Sequence, residues 1–307
     1  MAHIDLEFQH LCRVILNYGK EYENKNRGVK RKQIPSYTFR HELDNGFPAI
    51  TNKKLYWKGI VGELIWFLRG DNNVKYLNEN GIKIWNKDAY NWHLKNAKEL
   101  DITPMTEEAF NEQGIGTVGQ NYSIQWRNFN GNTDQILNLI NDMKKDIMSS
   151  RLKVNAWNPS EVDMTALPPC HSEFQIIGVP YAGGFGFELH WNQRSVDVFL
   201  GLPFNIASYG LLAIILQEMT GYKALAIEGT LKCVHFYDNQ YDAALQLLQR
   251  SPNTHPNCYL EIKTEFWPRE GSIDDFFQSL KISDFRLSGY SSDEGIKVEM
   301  LAPKELK

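Results

Sequence analysis

Cysteine is scarce in this 307-residue chain: four residues, Cys12, Cys170, Cys233 and Cys258, stand far apart. No C-x-x-C pair occurs, so neither a structural zinc, or any other metal, nor a disulfide framework is expected, and a cytoplasmic setting is. Long apolar runs are missing too. The most apolar stretch, LLAIILQEM at 211–219, is interrupted by Gln217 and Glu218, well short of the roughly 20 residues that cross a bilayer, so no membrane partner is expected. The opening MAHIDLEFQHLCRVILNYG repeats Ile4, Phe8, Leu11 and Ile15 at helical spacing but lacks the apolar centre and cleavage site of a signal peptide. Excess positive charge is absent as well. With 33 Lys and Arg against 37 Asp and Glu the formal net charge is -4, which argues against an obligatory nucleic-acid partner. The one basic cluster, KNRGVKRKQ at 25–33, is of a size to meet a single phosphate. Internal repeats, low-complexity tracts and long linkers are also lacking, so one domain over 1–307 is expected.

What is present is an ordinary globular composition, 42% hydrophobic and 23% charged, with 8 Trp, 14 Tyr and 16 Phe. After the first helix comes a polar loop, 21–36, with Arg27 beside Gly28, then a strand and turn over 37–50. KLYWKGIVGELIWFLR, 54–69, predicts an apolar helix in which Glu63 is the sole acid; a carboxyl in that company is either at a surface or held for use. A short helix follows at 73–81. IKIWNKD opens a long polar section, with a small, partly helical insertion at about 90–115 in which TPMTEEAFNEQ forms a surface helix opened by Thr103 or Thr106. Residues 133–149 predict a helix on Ile136, Leu139, Ile140 and Met143, with Asp134 and Gln135 in its first turn. Strands are expected at 151–158 and at 184–192, where Phe185, Phe187 and Leu189 share a face. A buried helix is expected at 207–221, then an extended stretch at 225–240 that puts His235 and Tyr237 on one face. A helix at 241–252, a strand, a short helix, a strand and a polar tail complete an α/β pattern.

The stretch from Trp157 to Asn205 organises the rest. Pro168 and Pro169 restrict the backbone just before Cys170, which is followed by His171. Arg194, Ser195 and Asp197 then precede a Gly-Leu-Pro turn and Asn205. A thiol, a cation, a hydroxyl, a carboxylate and an amide suit a small, polar, planar substrate. Taken alone, a lone cysteine is more often a small core hydrophobe.

Pro169-Cys170-His171 and QRSVDVFLGLPFNIASYG, with GELIWFLRGDNN (62–73), IKIWN (82–86), NYSIQWR (121–127), AWNPSEVDMTALPPCH (156–171) and HFYDN (235–239), resemble the thymidylate synthase family in family order. The resemblance implies an α/β fold with a large mixed β-sheet packed against helices and a homodimer formed through sheet faces. It implies a transferase of nucleotide biosynthesis that uses 5,10-methylenetetrahydrofolate to turn dUMP into dTMP. Cys170 would add to C6 of uracil and make C5 nucleophilic, and Arg194 would lie near both thiolate and phosphate. Glu63 would organise water around the base and assist proton transfer, and Tyr122 would help place the C5 proton. Asn205 would pair with uracil O4 and N3, since an amide offers both donor and acceptor. His235 and Tyr237 would bind the deoxyribose 3′-hydroxyl, and Ser195 the phosphate. His171 would belong to the base-side network. Asp197 would hydrogen-bond the pterin of the reduced folate; Trp85 would pack against it, with Asn86 beside it. Arg27 would contact phosphate in its own subunit, and Arg151 would reach it from the partner of the homodimer.

Some positions depart from the family pattern. Ser150 stands where the first of an arginine pair is usual, with Lys30, Arg31 or Lys32 as possible replacements. Lys232-Cys233 replaces Gly-Asp, Asp88 stands where a second tryptophan is usual, and KVEM runs on as LAPKELK, an extended tail at about 301–307. These changes fall mainly on the folate and closure side and not on the base side, which opens a second expectation, a dUMP hydroxymethylase giving 5-hydroxymethyl-dUMP. A third, a non-catalytic RNA-binding or regulatory protein on the same scaffold, is opposed by the intact Cys-Arg-Asn set and the net charge of -4.

Overall fold

The computed structural model describes residues 4–24, 28–252, 254–263 and 272–299. Its centre is a seven-stranded mixed sheet. The strands are β1 (Lys20–Asn24), β2 (Val29–Glu42), β3 (Lys153–Asn155), β4 (His171–Tyr181), β5 (Gly184–Gln193), β6 (Val196–Asp197) and β7 (Lys223–Tyr237). Their order is β1-β2-β7-β5-β4-β3, with β6 pairing on β7 beyond the end of β5. β5 and β7 run parallel, as do β6 and β7; the other pairs are antiparallel. A parallel pair needs a long crossover, and α8 (Gly201–Thr220) supplies it.

Side-chain alternation gives the sheet two unlike faces. One cross-strand row, Phe39, Gly229, Trp191, Phe174 and Val154, is wholly buried. Gly229 is required in that row, because a Cβ there would meet the Trp191 ring at 2.4 Å. The next row, Arg40, Glu228, His190, Gln175 and Lys153, faces outward. There Arg40 chelates Glu188 (2.6 and 2.7 Å) and holds that carboxylate down to about pKa 2, and His190 adds a second contact at 2.9 Å.

Against the apolar face pack α8, α1 (Ile4–Tyr18) and α7 (Gln135–Lys145), and α2 (Trp57–Leu68) packs on α8. By length and composition α8 could cross a membrane, contrary to the reading of its sequence; here it is a core helix, apolar all round because it is covered all round. Pro203 sits in its first turn, where a missing N–H costs nothing. The helix begins six residues before the sequence pattern shows it; the expected Gly-Leu-Pro turn is its first turn, and Asn205 lies on the helix. At α7 Asp134 is the cap, accepting from the Leu137 N–H.

Other boundaries moved as well. The expected polar loop at 21–36 is largely a hairpin, in which β2 starts at Val29 and β1 pairs with it. The polar section after Ile82 holds α4 (Asn86–Glu99), missed because its buried contacts are only Ala89 and Ala97. In the insertion, Thr106 and not Thr103 caps α5 (Glu107–Gln113), and Phe110 packs on Tyr90 and His93. Phe185 lies beyond the core and is half exposed, unlike Phe187 and Leu189. Residues 264–271 and the tail from 300 lie outside the described residues.

Candidate active site

A cavity of about 280 Å³ opens where the ends of β5, β6 and β7 meet the start of α8, α2 and α4. Glu63, Trp85, Tyr122, Cys170, His171, Ser195, Asp197, Asn205, His235 and Tyr237 line it, residues far apart in sequence. Phe67, Ile84, Leu167, Leu200 and Phe204 add apolar surface, and Asp88 lies at the α4 side.

Cys170 sits immediately before β4 and is partly buried. Its N–H donates to the Tyr122 hydroxyl at 2.6 Å and its C=O accepts from the Arg194 N–H at 2.8 Å. Tyr122 opens α6 (Tyr122–Arg127) and stacks flat on His171, ring centroids 4.0 Å apart. His171 Nδ1 meets the Tyr209 hydroxyl at 2.9 Å. Burial drives the His171 pKa down to about 3, so the ring is neutral at physiological pH. Burial also pushes the Tyr122 hydroxyl well above its ordinary range.

Glu63 lies mid-way along α2, a helix buried along almost its whole length. The Trp85 indole N–H donates to Glu63 Oε1 at 2.6 Å. Desolvation outweighs that bond and raises the carboxyl from 4.5 to about 7. Such a group can both give and take a proton near neutrality.

On the sheet side Asn205 Oδ1 accepts from Gln193 Nε2 at 3.1 Å, and Gln193 Oε1 accepts from the Trp191 indole at 3.2 Å. Asp197 Oδ1 accepts from the N–H groups of Phe199 (3.1 Å) and Leu200 (3.0 Å), and Oδ2 from Gln240 at 2.9 Å. Behind it Lys53 is buried, donating to the Phe199 carbonyl. Burial lowers its pKa to about 8, and Asp197 partly offsets the fall. His235 Nδ1 lies 2.6 Å from the Cys233 carbonyl.

Other site candidates lie off the cavity lining. Arg194 is exposed; its guanidinium donates to the carbonyls of Pro169 (2.7 Å) and Pro168 (2.8 Å) and covers the Trp157 ring. Asn86 turns its amide to Asn111 at 3.2 Å. Arg151 is exposed in the turn before β3. Arg27 is outside the described residues. Gln193, Tyr209, Gln240 and Lys53 escaped the sequence reading although they fix the residues that it picked. A signal existed for Gln193: strand alternation puts it on the face of Trp191, inside.

Fold and cavity together describe an α/β enzyme scaffold in which one thiol, one proton-holding carboxyl and a ring of fixed polar groups surround a small cleft. The sequence profile of thymidylate synthase matches residues 6–302. A thymidylate synthase of Malacoplasma penetrans (strain HF-2) is 37% identical over 298 residues, covering 95% of this chain and 98% of that protein. This chain belongs to the thymidylate synthase family, whose members transfer a one-carbon unit.

The cavity lining suits a flat heterocycle such as the reduced folate that the thymidylate synthase family uses. Gly201 lies on its wall, where a Cβ would take up space 3.7 Å from the Asp197 Cβ. Trp85, Ile84 and Leu200 offer flat or apolar surface, and Asp197 and Asp88 offer acceptors to ring N–H groups.

Proposed function

We propose that this chain methylates dUMP at C5, giving dTMP and dihydrofolate, with 5,10-methylenetetrahydrofolate as co-substrate. The observation that carries the reading is the convergence of Cys170, Asn205 and Glu63 on one cavity with His235 and Tyr237. Cys170 as thiolate adds to C6, and the electron pair of the C5–C6 bond moves towards C5 and O4. Asn205, its Oδ1 anchored by Gln193, presents the amide to O4 and N3. Glu63 gives a proton to the developing charge and takes it back. Tyr122 would help place the C5 proton, which leaves to a solvent water acting as base, and expulsion of Cys170 restores the ring. When bound, the reduced folate supplies the one-carbon unit and the hydride; Trp85, Asn86 and Asp197 would hold it. The nucleotide phosphate would draw Arg194 from the Pro168 and Pro169 carbonyls, joined by Ser195, Arg27 and the partner subunit's Arg151.

The outward face of the sheet supports a homodimer. A parallel pair at a sheet centre is ordinarily covered on both sides, while the row from Arg40 to Lys153 is half exposed. A second copy on that face would cover it and bring Arg151 across. Sedimentation at micromolar concentration would show a dimer; a monomer would remove this part of the reading.

One observation favours a second reading. Asp88, on the cavity wall where the family resemblance implies tryptophan, brings a water-binding group to the folate side. Water admitted there would give 5-hydroxymethyl-dUMP and tetrahydrofolate. Mass analysis of the product decides: a gain of a methyl group with dihydrofolate supports the synthase, and a hydroxymethyl group without dihydrofolate supports the alternative. Absence of tritium release from C5-labelled dUMP would leave only a non-catalytic role.

A further inference from the structure

Two groups on the cavity wall are joined by a side chain that does not itself line the cavity. Gln240 closes the short 3-10 turn Asp238–Gln240 that follows β7, and it is 1% exposed. Its Oε1 accepts from the Tyr237 N–H at 3.0 Å, and its Nε2 donates to Asp197 Oδ2 at 2.9 Å. The first bond fixes the sense of the second. A backbone N–H only donates, so the amide oxygen faces Tyr237 and the NH2 group faces Asp197. Gln240 is an oriented donor to that carboxylate.

Asp197 sits where such a support counts. It belongs to β6, a strand of two residues that pairs with the end of β7. Its Oδ1 is committed to the N–H groups of Phe199 (3.1 Å) and Leu200 (3.0 Å) at the approach to α8. Oδ2 is then the oxygen that can meet a ligand N–H, because one bond from Gln240 leaves it a second acceptor direction. The turn that carries Gln240 is held from outside as well. Asp238 Oδ2 accepts from the Lys30 N–H at 3.3 Å, and Asn239 Nδ2 donates to the Glu299 carbonyl at 2.9 Å. Successive side chains of one turn thus face the β1–β2 hairpin, the C-terminal segment and Asp197.

We propose that Gln240 is a positioning residue for the second substrate: its amide sets the direction of Asp197 Oδ2, and with it the strength with which the site takes a flat ring bearing N–H donors. The inference rests on the reading of Asp197 as a group that meets the reduced folate, and it adds the residue that aims the carboxylate.

Gln240→Glu is the discriminating variant. It keeps the shape and the acceptor for the Tyr237 N–H, loses the donor, and sets a second acid beside Asp197. In calorimetric titration at saturating dUMP it should weaken the binding of tetrahydrofolate, which has no one-carbon unit to transfer, by about tenfold or more. The dissociation constant of dUMP should stay within about twofold. Gln240→Met removes donor and acceptor alike and should weaken both ligands, dUMP by about threefold. A glutamate variant that binds tetrahydrofolate as wild type does overturns the proposal. So does one that loses dUMP and tetrahydrofolate equally, since Gln240 would then only hold the wall together. Should the glutamate variant not fold, the methionine variant decides, and unchanged tetrahydrofolate binding there overturns the proposal. If the wild-type chain binds no tetrahydrofolate, the folate reading falls and takes the inference with it; if wild type binds it and the glutamate variant binds it equally, the inference alone falls.

Discussion

The cavity has two walls, and they are held differently. On the sheet wall Gln193, Asn205, Asp197, His171 and His235 each have a hydrogen bond to another group of the protein. On the helical wall Trp85, Phe67 and Tyr122 pack ring against ring, with centroids 5.0 to 6.4 Å apart, and the Trp85–Glu63 bond is the polar link. A hydrogen-bonded wall fixes donors and acceptors before a ligand arrives, which serves selection. An aromatic wall gives a carboxyl little solvation, so Glu63 keeps a proton that it would lose in water. The proposed selection and proton transfer would thus depend on opposite treatments of polarity within one cleft.

The largest expected effect falls where the walls meet. Cys170→Ala should abolish dTMP formation and C5 proton exchange while dUMP affinity stays within about tenfold; exchange that persists in the variant would remove the thiol from the chemistry. On the helical wall, Glu63→Gln should lower kcat by about 10²–10³. With protonated Glu63 as the donor, wild-type kcat falls as pH rises through about 7, and the variant should lose that limb. The same shift fixes a stability trend. A carboxyl raised from 4.5 to about 7 is protonated in the folded chain while the unfolded chain has already lost the proton, so stability declines between those values and is level above them. Glu63→Gln should therefore be more stable than wild type by about 3 kcal/mol at pH 8 and equal to it at pH 4; equal denaturation midpoints at pH 8 would refute the buried, proton-holding carboxyl.

On the sheet wall, Asn205→Asp should move preference from dUMP towards dCMP, because an acid accepts from the exocyclic amine. The change should be about ten- to a hundredfold in relative kcat/KM, and unchanged uracil selectivity would count against a base-reading wall. The smallest effect sharpens the contrast. Trp85→Phe removes the N–H that lowers the Glu63 pKa, so the alkaline limb of kcat should move up by less than about one pH unit, with dUMP KM unchanged. A downward move would mean that the indole is not what holds the carboxylate.

Much of the site was legible because its residues cluster in short motifs. Pro168-Pro169-Cys170-His171 and Arg194 to Asn205 mark a candidate nucleophile and candidate companions in one dimension, and most of them line the cavity. Glu63 stood out as the one acid in an apolar helix, and its raised pKa has the same origin. The supports were harder to read. Gln193 and Tyr209 look like any strand glutamine and helix tyrosine until β5 and α8 are side by side. Helix α4 hid for a related reason: with only Ala89 and Ala97 buried it lacks an apolar stripe, and it is held by Trp85 at its start and by Phe110 from α5. The hairpin at 20–42 was obscured by lysines and arginines, which suit an edge strand and also resemble a loop.

Sequence alone determined the α/β class, the candidate nucleophile and most of the polar set, since these depend on residue type and on periodicities of 2 and 3.6 along the chain. Tertiary structure decided the protonation of Glu63 and His171, the orientation of the Asn205 amide and the turning of Arg194 to the proline carbonyls. Each depends on which groups from distant parts of the chain exclude water or offer a partner, and those neighbours exist only once the sheet has brought them together.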